Sequence, residues 1–298
     1  MTDTIKLIVV DLDGTLLNAE HEITERTQDA IKAAQAQGVK VVLATGKTRG
    51  SALKVIDQLG LDTPGIYVQG LVVHDAAGSI LRQETLDPAV VRQVITFAED
   101  RGFSLIAYSG TRTFVRARNH NTNLVIEYGE PEAEVVGPLQ NILDTTPFNK
   151  LMAIDRAEPR RVKALRWQLG MQLDGTARLV QPALEEMVEV LPKNGSKGTA
   201  LKALLKDLHL APSQVMALGD GENDIEMLEY AGVGVAVANA EPILKKVADY
   251  VTTASYGEGV AEAIERYILK PAEPQTSTDT QEAESKSEQS VEQEVEEK

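Results

Sequence analysis

The chain has 298 residues, 43% of them hydrophobic, enough to bury one large core or two smaller ones. Its 45 acidic residues outnumber 30 basic ones for a net charge of -15, a field that repels phosphate backbones and anionic lipid, so no nucleic-acid or membrane partner is expected. The absence of cysteine excludes disulfides, thiolate metal sites and a cysteine nucleophile.

The run from Ile5 to Val10 is too short to span a bilayer and leads directly into Asp11-Leu12-Asp13-Gly14-Thr15, so a cytoplasmic protein is expected. Between Thr4 and about Leu81, short β-branched runs alternate with amphipathic windows, which predicts βαβ units and a parallel sheet covered on both faces. Thr24 is placed to cap the first helix, and Gly38 and Gly60 to end the first and second. "VVHDAAGSIL" predicts a hairpin turning at Ala76 to Gly78.

From about Arg82 to Val188 the pattern changes to isolated helices and strands with longer polar connections, as in an inserted α+β domain. "TRTFVRAR" predicts a strand with one exposed face, and Trp167, between Leu165 and Leu169, is expected in that domain's core. After "VEVLPKNGSKG" the βαβ rhythm returns, so the open sheet is completed by residues 189–270. The predicted organisation is a core domain of 1–81 and 189–270, an inserted α+β domain of 82–188, and a tail of 271–298. That tail has nine acids, two lysines and only two valines as large apolar residues, so it is expected to be disordered.

Three strand ends carry unusual chemistry: Asp11 to Thr15, Ala44-Thr45-Gly46, and Gly219-Asp220-Gly221-Glu222-Asn223-Asp224. Taken singly, the first reads as a capping aspartate with an Asp-Gly turn and the third as a polar loop before a helix. In a parallel sheet, however, strand carboxyl ends meet at one edge, and clustered carboxylates there call for a cation. Hard oxygen ligands without His or Cys point to Mg²⁺. A calcium loop is ruled out, since its sixth position would need glycine and holds Leu16 or Ile225. "GKT" at Gly46 to Thr48 lacks the earlier glycine of a P-loop, where Val41 stands.

With these motifs in view, the sequence resembles the haloacid dehalogenase-like hydrolases, and within them the Cof-type phosphatases with a large C2-type cap. "DLDGTL" resembles the first motif, "ATG" with Thr45 the second, "SKG" with Lys197 the third and "GDGENDIEML" the fourth, while "GVGVAVANA" resembles the stretch that follows. The resemblance runs from residue 4 to about 268. It implies a Rossmann-like parallel-sheet core with an inserted α+β cap, and a Mg²⁺-dependent phosphomonoesterase for small phosphorylated metabolites such as sugar phosphates or cofactor-related phosphates.

In that scheme Asp11 attacks phosphorus to form an aspartyl phosphate and Asp13 serves as acid and then base. Asp11, the backbone of Asp13, Asp220 and Asp224 hold the metal, and Thr45 and Lys197 hold the phosphoryl oxygens. Gly46, Asn223 and Asn239 support the phosphate or the metal shell. For substrate specificity the expectation falls on Lys47 and, in the cap, Arg112, Arg116 and Arg118, with a solvated strand face as the competing reading for the arginines. The chain departs from the family pattern at Lys47, where arginine is common, and at Gln69-Gly70-Leu71, where Asn-Gly-Ala is. A phosphotransferase of the phosphomannomutase type and an inactive regulatory module stay open as alternatives, as do monomer and homodimer.

Overall fold

In the computed structural model, which describes residues 4–181 and 184–269, β1 (Leu7–Val10) consists of four wholly buried aliphatic residues. Such a strand is stable only where both faces are covered. It lies between β2 (Lys40–Leu43) and the later strand Val215–Gly219, in a parallel five-stranded sheet. The predicted tail, 271–298, lies outside the described residues.

The helix boundaries follow local chemistry. α1 (Glu25–Ala36) starts on Thr24, whose hydroxyl accepts the Thr27 amide at 3.4 Å, and the chain turns at Gly38 with φ 83°. α2 (Arg49–Leu59) ends at Gly60 in the left-handed region. β3 (Gly65–Tyr67) extends the sheet beyond β2 through the Thr45 amide and the Ile66 carbonyl, 2.9 Å apart. It then pairs antiparallel with β4 (Val72–His74), which forms the expected hairpin with β5 (Ile80–Gln83), turning at Gly78 with φ 93°.

A second, six-stranded sheet comprises β6 (Ser104–Ser109), β7 (Arg112–Val115), β8 (Glu134–Val135), β9 (Lys150–Ile154), β10 (Ala177–Val180) and β11 (Met187–Pro192), in the order β10-β11-β9-β6-β7-β8. β5 and β11 run through the expected boundaries at 81/82 and 188/189. Strand alternation gives this sheet two different faces. Leu105, Ala107, Leu151, Ala153, Val188 and Val190 form an interior with α3 (Pro88–Glu99) and α5 (Pro159–Leu173). Ile106, Tyr108, Met152, Ile154, Met187 and Leu191 join the core of the parallel sheet instead. A short helix, α4 (Leu124–Glu127), lies between β7 and β8.

Trp167 departs from its expected place and is 68% exposed. The buried stripe of α5 is Val162, Leu165, Leu169 and Leu173. Trp167 follows Leu165 by two residues, about 200° around a helix, so its ring faces outward.

α6 (Lys197–Asp207) begins on Ser196, which accepts the Thr199 amide at 3.0 Å. Then come β12 (Val215–Gly219), α7 (Ile225–Tyr230), β13 (Val233–Ala236), α8 (Pro242–Val247), β14 (Tyr250–Val251) and α9 (Tyr256–Ile264), giving the parallel order β14-β13-β12-β1-β2. No helix among the described residues is long and apolar enough to cross a membrane.

Candidate active site

Strand register assembles the site. Val10 pairs with Leu43 on one side and Leu218 on the other, so Asp11, Thr45 and Asp220 leave the sheet at one edge. The Asp11 amide donates to the Leu218 carbonyl at 3.0 Å, fixing the start of the loop. One oxygen from each of Asp11, Asp220 and Asp224 lies within 4.8 Å of the others.

Lys197, at the first position of α6, is buried among these carboxylates. Its Nζ donates to Asp11 Oδ1 at 2.5 Å and to Asp224 Oδ1 at 2.8 Å. Asp224 Oδ2 accepts the amides of Asp220 and Gly221 at 3.0 and 3.1 Å, so this residue also anchors the loop. Thr15 Oγ1 donates to Asp220 Oδ1 at 3.1 Å. Gly14 has φ 82°, and a Cβ there would land on the Asp220 carboxylate, so glycine is needed both for the turn and for the close approach.

The electrostatics follow from burial. Desolvation pushes the Asp11 carboxyl well above the usual range; Lys197 opposes this, and Asp224 and Asp220 add to it. Asp220 is pushed up to about 6 by burial and then by Asp224, with Lys197 opposing. Burial disfavours the charge of Lys197, but Asp11 and Asp224 outweigh that and raise its pKa. Three carboxylates against one ammonium leave excess negative charge among hard oxygen donors, and this donor set fits Mg²⁺.

Asp13 lines the same cavity as Asp11, with Lys47 Nζ 2.6 Å from its Oδ1 and His21 Nδ1 at 3.6 Å. Thr45 is buried, and its Oγ1 accepts the Lys47 amide at 3.2 Å. Gly46 lies against the Gln69 side-chain amide, with no room between them for a Cβ. Gln69 Oε1 accepts Asn223 Nδ2 at 3.0 Å. Asn239 lies outside the cavity lining and braces the first loop by donating to the Gly14 carbonyl at 2.8 Å.

The cavity, about 160 Å³, is closed on its far side by the cap. The expected cap arginines are not there. Arg112 pairs with Glu134 at 2.6 Å, Arg116 with Glu99 at 3.3 Å and Arg118 with Glu132 at 3.0 Å, all three arginines exposed to solvent. β7 ends at Val115, so the alternation assumed for Arg116 and Arg118 stops before them, and β6 separates β7 from β9 and β11. Lys47 does line the cavity, its Nζ 5.7 Å from the ring centroid of Tyr128 in the cap.

The wall consists instead of residues that the sequence reading passed over. Tyr108, Lys150, Met152, Met187 and Glu189 come from β6, β9 and β11, while Tyr128 and Glu130 follow α4. Glu130 docks on the start of α2, accepting the Thr48 amide at 3.0 Å and the hydroxyls of Thr48 and Ser51 at 2.6 and 2.5 Å. Lone charges inside apolar runs, Lys150 in "KLMAI" and Glu189 in "MVEVL", were the available signal. Arg116→Ala and Arg118→Ala are expected to leave the ranking of substrates unchanged, whereas Tyr128→Ala should alter it. Ratios of kcat/KM for two esters of different size in each variant would check this.

A family model described as haloacid dehalogenase-like hydrolase matches residues 8–264. An Arabidopsis thaliana protein named chloroplastic endoribonuclease YBEY is 35% identical over 272 residues, covering 88% of this chain; the chain spans only 46% of that relative's length. The Bacillus subtilis phosphatase YwpJ is 29% identical over 289 residues, covering 89% of this chain and all of that one. The crystal structure of a haloacid dehalogenase-like hydrolase from Bacteroides thetaiotaomicron superposes with a TM-score of 0.77 at 28% identity, over 88% of this chain and 99% of that one. Carboxylates gathered at one sheet edge, a buried lysine among them and a match over most of the chain agree: the chain belongs to the haloacid dehalogenase-like hydrolase family.

Proposed function

We propose that the chain is a Mg²⁺-dependent, cytoplasmic phosphomonoesterase that hydrolyses small phosphorylated metabolites through an aspartyl phosphate on Asp11. The observation that carries this reading is the Asp11–Lys197–Asp224 cluster, buried at the edge of a cavity that Asp13 shares. Asp11 attacks phosphorus, and Asp13 protonates the departing oxygen. Asp13 then takes a proton from the water that cleaves the acyl phosphate. Lys197 and the Thr45 hydroxyl hold phosphoryl oxygens as charge develops. Asp11, Asp220, Asp224 and the Asp13 backbone would hold Mg²⁺, which when bound offsets the negative charge of the phosphoryl group. The cap segment, 82–188, closes over the leaving group and excludes water.

The test is phosphate release from a panel of phosphorylated metabolites, with Mg²⁺ and with chelator. Release in plain water supports the reading. Transfer that requires an added sugar acceptor would replace it with the phosphotransferase alternative, and a silent panel would reject both. The pH dependence of activation provides a second check. A proton on Asp220, whose pKa is pushed up to about 6, competes with the cation, so lowering the pH weakens metal binding. Half-activation should therefore require several-fold more Mg²⁺ at about pH 5.5 than at about pH 7.5. Equal requirements at both would remove Asp220 from the ligand set.

A further inference from the structure

β9 and β11 are antiparallel neighbours, with Met152 opposite Glu189 and Leu151 opposite Val190. Lys150, Met152 and Ile154 share one face of β9, and Met187, Glu189 and Leu191 share the matching face of β11. The apolar members of both sets pack into the core of the parallel sheet. Lys150 and Glu189 thus face the active site from diagonal positions, only 1% and 2% exposed. No step of the proposed reaction uses either of them.

Their contacts form a continuous chain. Lys150 Nζ donates to Glu189 Oε1 at 2.5 Å and to the Gly46 carbonyl at 2.9 Å. Glu189 Oε2 accepts Gln69 Nε2 at 2.9 Å, and Gln69 Oε1 accepts Asn223 Nδ2 at 3.0 Å. One end is the residue after Thr45 and the other the residue before Asp224. The middle rests on Val68 and Gln69, at φ 52° and 62°, a region that a β-branched residue holds only when its surroundings impose it. An ion pair buried this deeply gains little net stability over apolar residues of the same shape, so stability alone does not account for it.

We propose that Lys150 and Glu189 are positioning residues of the active site. This cap-borne ion pair sets the loop at Gly46 against the loop at Asn223. The chemical step then depends on the cap through the placement of these loops, beyond any contact the cap makes with the leaving group. The kinetic arm of the test rests on the phosphatase reading above; the exchange arm does not.

The test compares Lys150→Met and the double variant Lys150→Met/Glu189→Met with the wild type, using 4-nitrophenyl phosphate and Mg²⁺. Misplacing the loops by a fraction of an ångström should lower kcat by about tenfold to a hundredfold, with a much smaller change in KM. Lys150→Met should also melt earlier, because Glu189 is left buried and unpaired. The double variant should recover the melting temperature but not kcat. A merely structural pair would show kcat returning together with melting temperature, and that outcome overturns the proposal, as does a folded variant with unchanged kcat. Amide hydrogen exchange supplies the second arm. Residues 45–48 and 69–71 should exchange faster in the double variant than in the wild type, without a general increase, and unchanged rates there overturn the proposal even if the wild type releases no phosphate.

Discussion

Asp11→Asn is expected to fold and, given the nucleophilic role proposed for Asp11, to lose turnover by several orders of magnitude. The amide keeps the shape of the side chain at the end of β1 and can still accept from Lys197, which retains its 2.8 Å contact with Asp224. It also removes a carboxyl whose charge burial disfavours, so the melting temperature should move little. What it cannot do is attack phosphorus. Trapping the phosphoenzyme separates this role from that of Asp13: Asp13→Asn should still form some adduct from an ester with a good leaving group, and Asp11→Asn none. Ordinary turnover in folded Asp11→Asn would falsify the covalent route.

Lys197→Met should damage both stability and activity. Its ammonium is wholly enclosed and bridges Asp11 at 2.5 Å and Asp224 at 2.8 Å. Removing one partner of a buried ionic cluster leaves uncompensated charge, at a cost of about 3–5 kcal/mol near neutral pH. The sign of the pH effect follows from Asp11, whose folded-state pKa already lies above its unfolded value and rises further without the lysine. Such a group penalises the fold increasingly as pH climbs from the unfolded through the folded pKa, so the deficit should shrink on acidification. Mg²⁺ should recover part of the stability, because it offsets the same carboxylates, but little of the activity, since the proposed phosphoryl contact is gone. Melting curves across pH, with and without Mg²⁺, test this; a deficit independent of both would mean that Lys197 acts mainly by packing.

The parallel sheet, its helix caps and the set of residues at its edge were legible in the sequence because each is written in local terms. Aliphatic runs alternating with amphipathic windows specify covered parallel strands, and Thr24 and Gly60 mark helix ends by their own hydrogen-bonding or conformational properties. Once strands are parallel, residues just past their ends share an edge, so Asp11, Thr45 and Asp220 could be grouped before any coordinates. The cap's contribution was not local in this sense. Arg112, Arg116 and Arg118 read as a plausible binding face, but β7 stops at Val115 and sits beyond β6, so sheet order turned them to solvent. Trp167 was decided by two residues of helical phase. Lys150 and Glu189 became cavity residues only because the second sheet turns one face toward the parallel sheet, 39 residues separating Lys150 from its partner. A strand's periodicity tells which residues share a face; which face meets the active site depends on long-range pairing and on the packing of one sheet over the other, and only the tertiary structure decided that.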